Sequence, residues 1–424
     1  MKMLTRCSVF FVFVEILGAA ASPPAHAADY EKPQILKAAD LLPAELLKGE
    51  HYEIEGQVVN DGFMNQFTIR SDFGTFEAKS RVLVDIRVRE VRGLANLKEL
   101  SQTEVFVDAL GAAGKKSLDA AGKLVTDPVG TAKGVSAGVG RMFKRVSLKV
   151  EKTADKAEDA VEGEGESQDA AKAATGAGKE LIGFNSAKRS LAKRVGVDPY
   201  STNQVLQKEL DRLAWAAFAG EVGIGQTVGK IPLQGEISAV SNMVWDTPPG
   251  DLEVANREKL AAMGVSKEEV NAWYENPWYT PTTQTLLVQM MEGLEGIEGR
   301  TVILVLASKV KNDEQAALFL TTVRMLRDYH SSVKPLVRIH ARNMLPWGIT
   351  GDGTVVVTPG VDHVIWTKRI AEHTDMVAAF LQDDGSLKEV DLRIAGTLSD
   401  RSRKELEALG WKVQERALPP AKKK

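Results

Sequence analysis

Residues 51–78, HYEIEGQVVNDGFMNQFTIRSDFGTFEA, read as three short strands joined by two tight turns. Over His51–Val59, Tyr52, Ile54 and Val58 alternate with His51, Glu53 and Gln57, the period-2 pattern of a strand with one buried face. Asn60-Asp61-Gly62 then supplies residues that tolerate positive φ in a turn. Phe63, Phe67 and Ile69 are expected to line one face of the second strand, and Asp72-Phe73-Gly74 turns the chain into the third, Thr75–Ala78. The run that follows, Arg81–Val91, is ambiguous. Val82, Val84, Ile86 and Val88 alternate like a strand, whereas Val84, Val88, Val91 and Ala95 fit a helix; either closes the open face of the meander.

Working outward toward the N-terminus, residues 1–27 have the layout of a secretory signal peptide. Lys2 and Arg6 precede an apolar core, Val9–Val14 and Ile16–Ala21, and Ala25-His26-Ala27 is a small-x-small cleavage site. Glu15 interrupts the core. The run is short of the roughly 20 apolar residues that a membrane span needs. Export to a periplasmic or extracellular compartment is the expectation, with Ala28 as the mature N-terminus and no transmembrane span after cleavage. The one cysteine, Cys7, leaves with the signal, so the mature chain has no thiol chemistry and no disulfide.

The full chain of 424 residues carries a net charge of −3, and loss of Lys2, Arg6 and Glu15 leaves the mature chain near −4. That balance gives no global attraction to nucleic acid. Locally the charge is uneven. Residues 111–150 hold eight basic and two acidic side chains, net +6, among recurring glycines and the apolar Val135, Val139, Met142, Phe143 and Val146. Lys133, Arg141, Phe143, Lys144, Arg145 and Lys149 are the candidates for contact with an anionic lipid or envelope polymer. Residues 151–180 follow with a net charge of −5 over Glu151–Lys172 and with Val161 as the one large apolar residue there; they read as an acidic flexible linker.

Residues 181–332 read as a helical domain. Ser201 with Gln204 and Ser266 with Glu269 form capping-box patterns, Leu206, Leu210, Leu213 and Ala217 make a buried stripe, and Leu252–Met263 stops at Gly264. Further helices are expected over Thr282–Leu294 and Asn312–Tyr329. Thr301–Ala307 is apolar throughout, and periodicity does not separate strand from helix there. Residues 333–417 mix types: strands at Leu336–His340 and Thr354–Thr358, a helix bearing Ile370, Val377 and Phe380 after Trp366, and a strand–helix–strand unit over Val390–Gln414. If that unit is parallel its crossover is expected to be right-handed. A basic tail, 418–424, ends the chain. The fold class is therefore α+β: an N-terminal meander with a helix at 28–110, a helical middle and a mixed α/β end.

Several patterns in the chain resemble motifs of known chemistry and also have plainer readings. Gly134-Val135-Ser136-Ala137-Gly138 matches the nucleophile-elbow pattern GxSxG but has no strand before it, and its glycines suit close packing or a surface-contacting face. Gly220–Gly225 resembles a phosphate loop but follows a helix, so a helix end is the simpler account. Leu260–Val270 has a helix-turn-helix cadence, yet Glu268 and Glu269 oppose DNA. His330, His340, His363 and His373 lie close in sequence without metal-ligand spacing. Asp362 reads as a helix cap, and His373 as a hydrogen-bonded core histidine.

These readings point to an exported binding protein of the cell envelope, without catalytic, metal or cofactor residues assigned, meeting an envelope protein or an anionic surface. A groove lined by Trp215, Trp245, Trp273 or Trp278 is a second candidate contact surface. The alternatives are a periplasmic hydrolase or metal enzyme built around Asp362, His363 and His373, and a scaffold of helical hairpins.

Overall fold

The structure, a computed structural model, describes residues 30–116, 183–219, 237–342 and 344–418. The meander is present. Strands β3 (Tyr52–Ile54) and β4 (Gln57–Asn60) lie end to end along one side of β5 (Asn65–Ser71), and β6 (Gly74–Lys79) lies along the other, all antiparallel. Two short strands extend it: β1 (Ile35–Lys37) on β4 and β2 (Lys48–Gly49) on β3. Alternation puts Tyr52, Ile54, Val58, Phe67, Ile69 and Ala78 in one core. Phe63 departs from expectation. It sits in the β4–β5 turn, where Asn60 Oδ1 accepts from Gly62 N and Asp61 Oδ1 accepts from Met64 N, and this turn carries Phe63 away from the sheet toward the C-terminal region.

The ambiguous run is a helix, Arg81–Ser101. Ser80 caps it by accepting from Leu83 N, and Val84, Val88 and Val91 cover the sheet. The helical period extends over five turns, while the strand-like alternation stops after the four residues Val82, Val84, Ile86 and Val88; the longer pattern buries more. Its second half, Leu94, Leu97 and Leu100, packs against the helices 183–195 and Gln204–Ala219. Buried in that seam, Glu90 accepts from Arg87 (2.7 Å), from Ser201 and from Asn203 (3.0 Å).

Ser201 is thus spent on Glu90, and the cap of Gln204–Ala219 comes from Asn203 Oδ1, which accepts from Val205 N and Leu206 N. The Ser266–Glu269 capping box forms as expected. Helices Pro249–Ala262, Lys267–Tyr274, Pro281–Glu292, Val302–Ala307 and Asp313–Ser332 pack around Trp273, Leu287, Met290, Leu304 and Leu326. The run Thr301–Ala307 is therefore helical from Val302 onward, with Ile303, Leu304, Leu306 and Ala307 buried.

The C-terminal sheet has the order β13-β11-β9-β8-β7. Strands β7 (Leu336–Arg342), β8 (Leu345–Thr350) and β9 (Thr354–Val357) run antiparallel; β11 (Glu389–Arg393) and β13 (Lys412–Gln414) run parallel to β9. Helix Lys368–Asp383 links β9 to β11, and helix Asp400–Ala408 links β11 to β13, giving the expected strand–helix–strand unit. A parallel pair, β10 (His363–Val364) with β12 (Thr397–Leu398), lies beside this sheet. The molecule is an α+β fold, and among the described residues no helix is long and apolar enough to cross a membrane.

Candidate functional site

Thr367 caps helix Lys368–Asp383 by accepting from Ile370 N, and the helix then presents Ile370, His373, Thr374 and Val377 on one face. That face does not pack flush on the sheet. Between it and Trp347, Val357 and Leu392 lies a cavity of about 300 Å³. Leu318 and Phe319 of helix Asp313–Ser332 form a second wall, Leu398, Leu406 and Trp411 a third, and Phe63 of the β4–β5 turn a fourth. The lining is largely apolar.

Apart from the buried Thr374, its polar side chains sit toward the surface. Gln315 and Arg369 are exposed, and His373 is half-buried. The Arg369 guanidinium lies 4.7 Å from the centre of the Phe63 ring. His373 Nδ1 is 2.7 Å from the Arg369 carbonyl oxygen, so Nδ1–H donates and Nε2 is left as the ring's other polar atom. Met344, with φ +66°, lines the cavity from the β7–β8 turn.

Of the three residues Asp362, His363 and His373, only His373 lines this cavity. Asp362 accepts from Asn65 N (3.1 Å) and from Arg81 N (3.2 Å), the first residue of helix Arg81–Ser101. Ser80 is the N-cap of that helix and Thr367 that of the helix after Asp362, so Asp362 is not itself a cap residue but supports a helix start from the other end of the chain. Burial pushes its carboxyl up to about 6, opposed by those two backbone donors. His363 Nδ1 is 2.8 Å from Thr397 Oγ1, and its carbonyl accepts from Asn60 Nδ2 (3.0 Å); burial lowers its pKa. Asp362 and His363 together hold the β4–β5 turn against the C-terminal sheet.

The four tryptophans do not share a groove. Trp273 is fully buried between Tyr274 and Tyr279, with Trp278 at the edge of the same core. Trp245 donates to the Val197 carbonyl (2.8 Å), and Trp215 stacks on Phe184 (4.6 Å) in the neighbouring helical region. His330 Nδ1 accepts from Leu336 N, and His340 stacks on Phe380. No cluster of three His, Cys, Asp or Glu able to hold a metal occurs among the described residues. The signal segment, the GxSxG pattern, the acidic stretch and the glycines of 220–225 lie outside the described residues. So do Lys133, Arg141, Phe143, Lys144, Arg145 and Lys149.

A second, polar cleft of about 320 Å³ opens at the other end of the sheet around Glu298, Arg338, Asp352 and Lys388. Its charges are largely matched. Lys334 pairs with Asp352 and holds that carboxyl far below the usual range, and Arg338 pairs with Asp384 at 3.4 Å.

The stripe Ile370–His373–Val377 is visible in the sequence and has the pattern of solid core. Arg369, Phe63 and the gap beneath the stripe have no local signal, because a void is a property of how separate elements meet. No protein family, no curated protein and no solved structure matches this chain, so the cavity's geometry and chemistry are what speak for the site.

Proposed function

We propose that the protein is an exported binding protein of the cell envelope and that its ligand occupies the C-terminal cavity. The observation that carries the reading is the cavity itself: about 300 Å³, lined mainly by apolar side chains, with a histidine and an arginine toward its surface. A cleft of this size that opens to solvent leaves its apolar walls in contact with water, and covering that surface is favourable. An apolar ligand seated there removes both its own surface and the walls from water. The compartment rests on the N-terminal n-region, apolar core and Ala25-His26-Ala27, and the net +6 segment supports contact with anionic envelope surfaces.

Intact-mass measurement of the chain purified from the envelope fraction, under native and then denaturing conditions, tests both parts. The expected result is a mass beginning at Ala28, with a small-molecule adduct that is lost on denaturation and absent in the cavity-filling variant Val377→Phe. A chain starting at Met1 in the cytoplasm would overturn export. An adduct-free native mass, with no change in melting temperature on adding apolar small molecules, would overturn binding.

A further inference from the structure

We propose that the cavity takes a free carboxylic acid with one medium-length alkyl chain, its carboxylate on Arg369 and His373 and its chain along the apolar walls. This rests on the binding reading above and adds the chemistry of the ligand.

The volume sets the tail. At about 300 Å³ the cavity is at the small end of ligand pockets, which run from roughly 300 to 1,000 Å³, and it admits one chain of medium length but not a two-chain lipid. The inner walls present Phe319, Val357, Val377, Leu392 and Leu406. Each methylene moved from water onto them favours binding, and a polar group carried inward would find no partner. Thr374, the buried polar side chain of the lining, already donates to the Ala371 carbonyl.

The rim sets the head. Arg369 and His373 are four residues apart on one helix, so they project from the same side on successive turns. Arg369 is held at the cavity by the face of Phe63. Its planar fork matches the two oxygens of a carboxylate. His373 has its Nδ1 committed to the Arg369 carbonyl, which leaves Nε2 as the ring atom that meets the same head. Lys368 pairs with Glu372 at 3.7 Å and is not needed. One arginine with one histidine suits a singly charged carboxylate better than a dianionic phosphate, and disfavours a cationic head outright.

The test is calorimetric titration of the mature chain with four probes sharing a ten-carbon tail: decanoate, decyl phosphate, 1-decanol and decyltrimethylammonium. Decanoate is expected to bind tightest, at one per chain. Arg369→Gln, on the exposed rim, is expected to weaken decanoate by about tenfold, the loss of one charge-assisted contact, and to leave 1-decanol unchanged. Val377→Phe is expected to abolish binding of both. If 1-decanol binds as well as decanoate, or Arg369→Gln changes nothing, the head-group assignment falls while the binding reading stands. Preference for decyl phosphate or for the cation also overturns it. Failure of all four probes, with an adduct-free native mass, removes the binding reading as well.

Discussion

Asp362 shows how much one side chain can hold. Its carboxylate accepts backbone N–H groups 297 and 281 residues away in sequence, joining the β4–β5 turn and a helix N-terminus to the C-terminal sheet. Burial raises its pKa from the ordinary 3.8 to about 6, and Asp198 is raised to about 6 for the same reason. A raised carboxyl binds its proton more tightly in the native state than in the unfolded chain. Its stabilising contribution is therefore present below about pH 4 and is lost as pH rises through about 6. Asp362→Asn, neutral at every pH, should gain stability relative to the parent by about 1 to 3 kcal/mol between pH 4.5 and 7.5. Urea melts at the two pH values measure this, and a pH-independent difference would contradict it.

At the scale of elements, the contact between helix Arg81–Ser101 and the segment before Gln204–Ala219 depends on a missing side chain. A Cβ on Gly93 would lie 2.3 Å from Val197 Cγ1, and Val197 is buried. Alanine is ordinarily the better helix former by about 0.5 to 1 kcal/mol. Here Gly93→Ala should instead destabilise by about 1 to 2 kcal/mol, because the helix must shift away. Adding Val197→Ala makes room, so the double variant should be more stable than the sum of the singles by about 1 kcal/mol in a denaturation cycle. Strand β8 illustrates the limit of local reading. Pro346 and Gly348 break the propensity, and five of its six residues are buried, so neither alternation nor composition marks it as a strand. Pairing with β7 and β9 makes it one.

Across the whole molecule, the N-terminal sheet and the C-terminal sheet meet at a turn. Asn60, fully buried, donates to Asn65 Oδ1 (2.8 Å) and to the His363 carbonyl (3.0 Å); Gly62, at φ +117°, approaches Thr367, where a Cβ would come within 3.3 Å of Thr367 Cγ2. Glu31 adds a second tie, accepting from Trp366 N and Ser399 Oγ. Asn60→Ala leaves these partners buried and unsatisfied, and should cost about 2 kcal/mol. Hydrogen exchange should quicken together in residues 60–65 and 363–365; quickening in the turn alone would mean that the two sheets are not coupled there. By itself the sequence determined the meander, most helices, the Ser266 cap and the strand–helix–strand unit, whose parallel direction the tertiary structure supplied. Each is written in a period, a turn or a cap a few residues long. Only the tertiary structure decided that Arg81–Val91 is helix, that β8 is a strand, that Ser201 serves Glu90, and that Ile370, His373 and Val377 stand over a cavity. Those outcomes depend on which surfaces meet across hundreds of residues, and burial on every side erases the periodicity that would announce them.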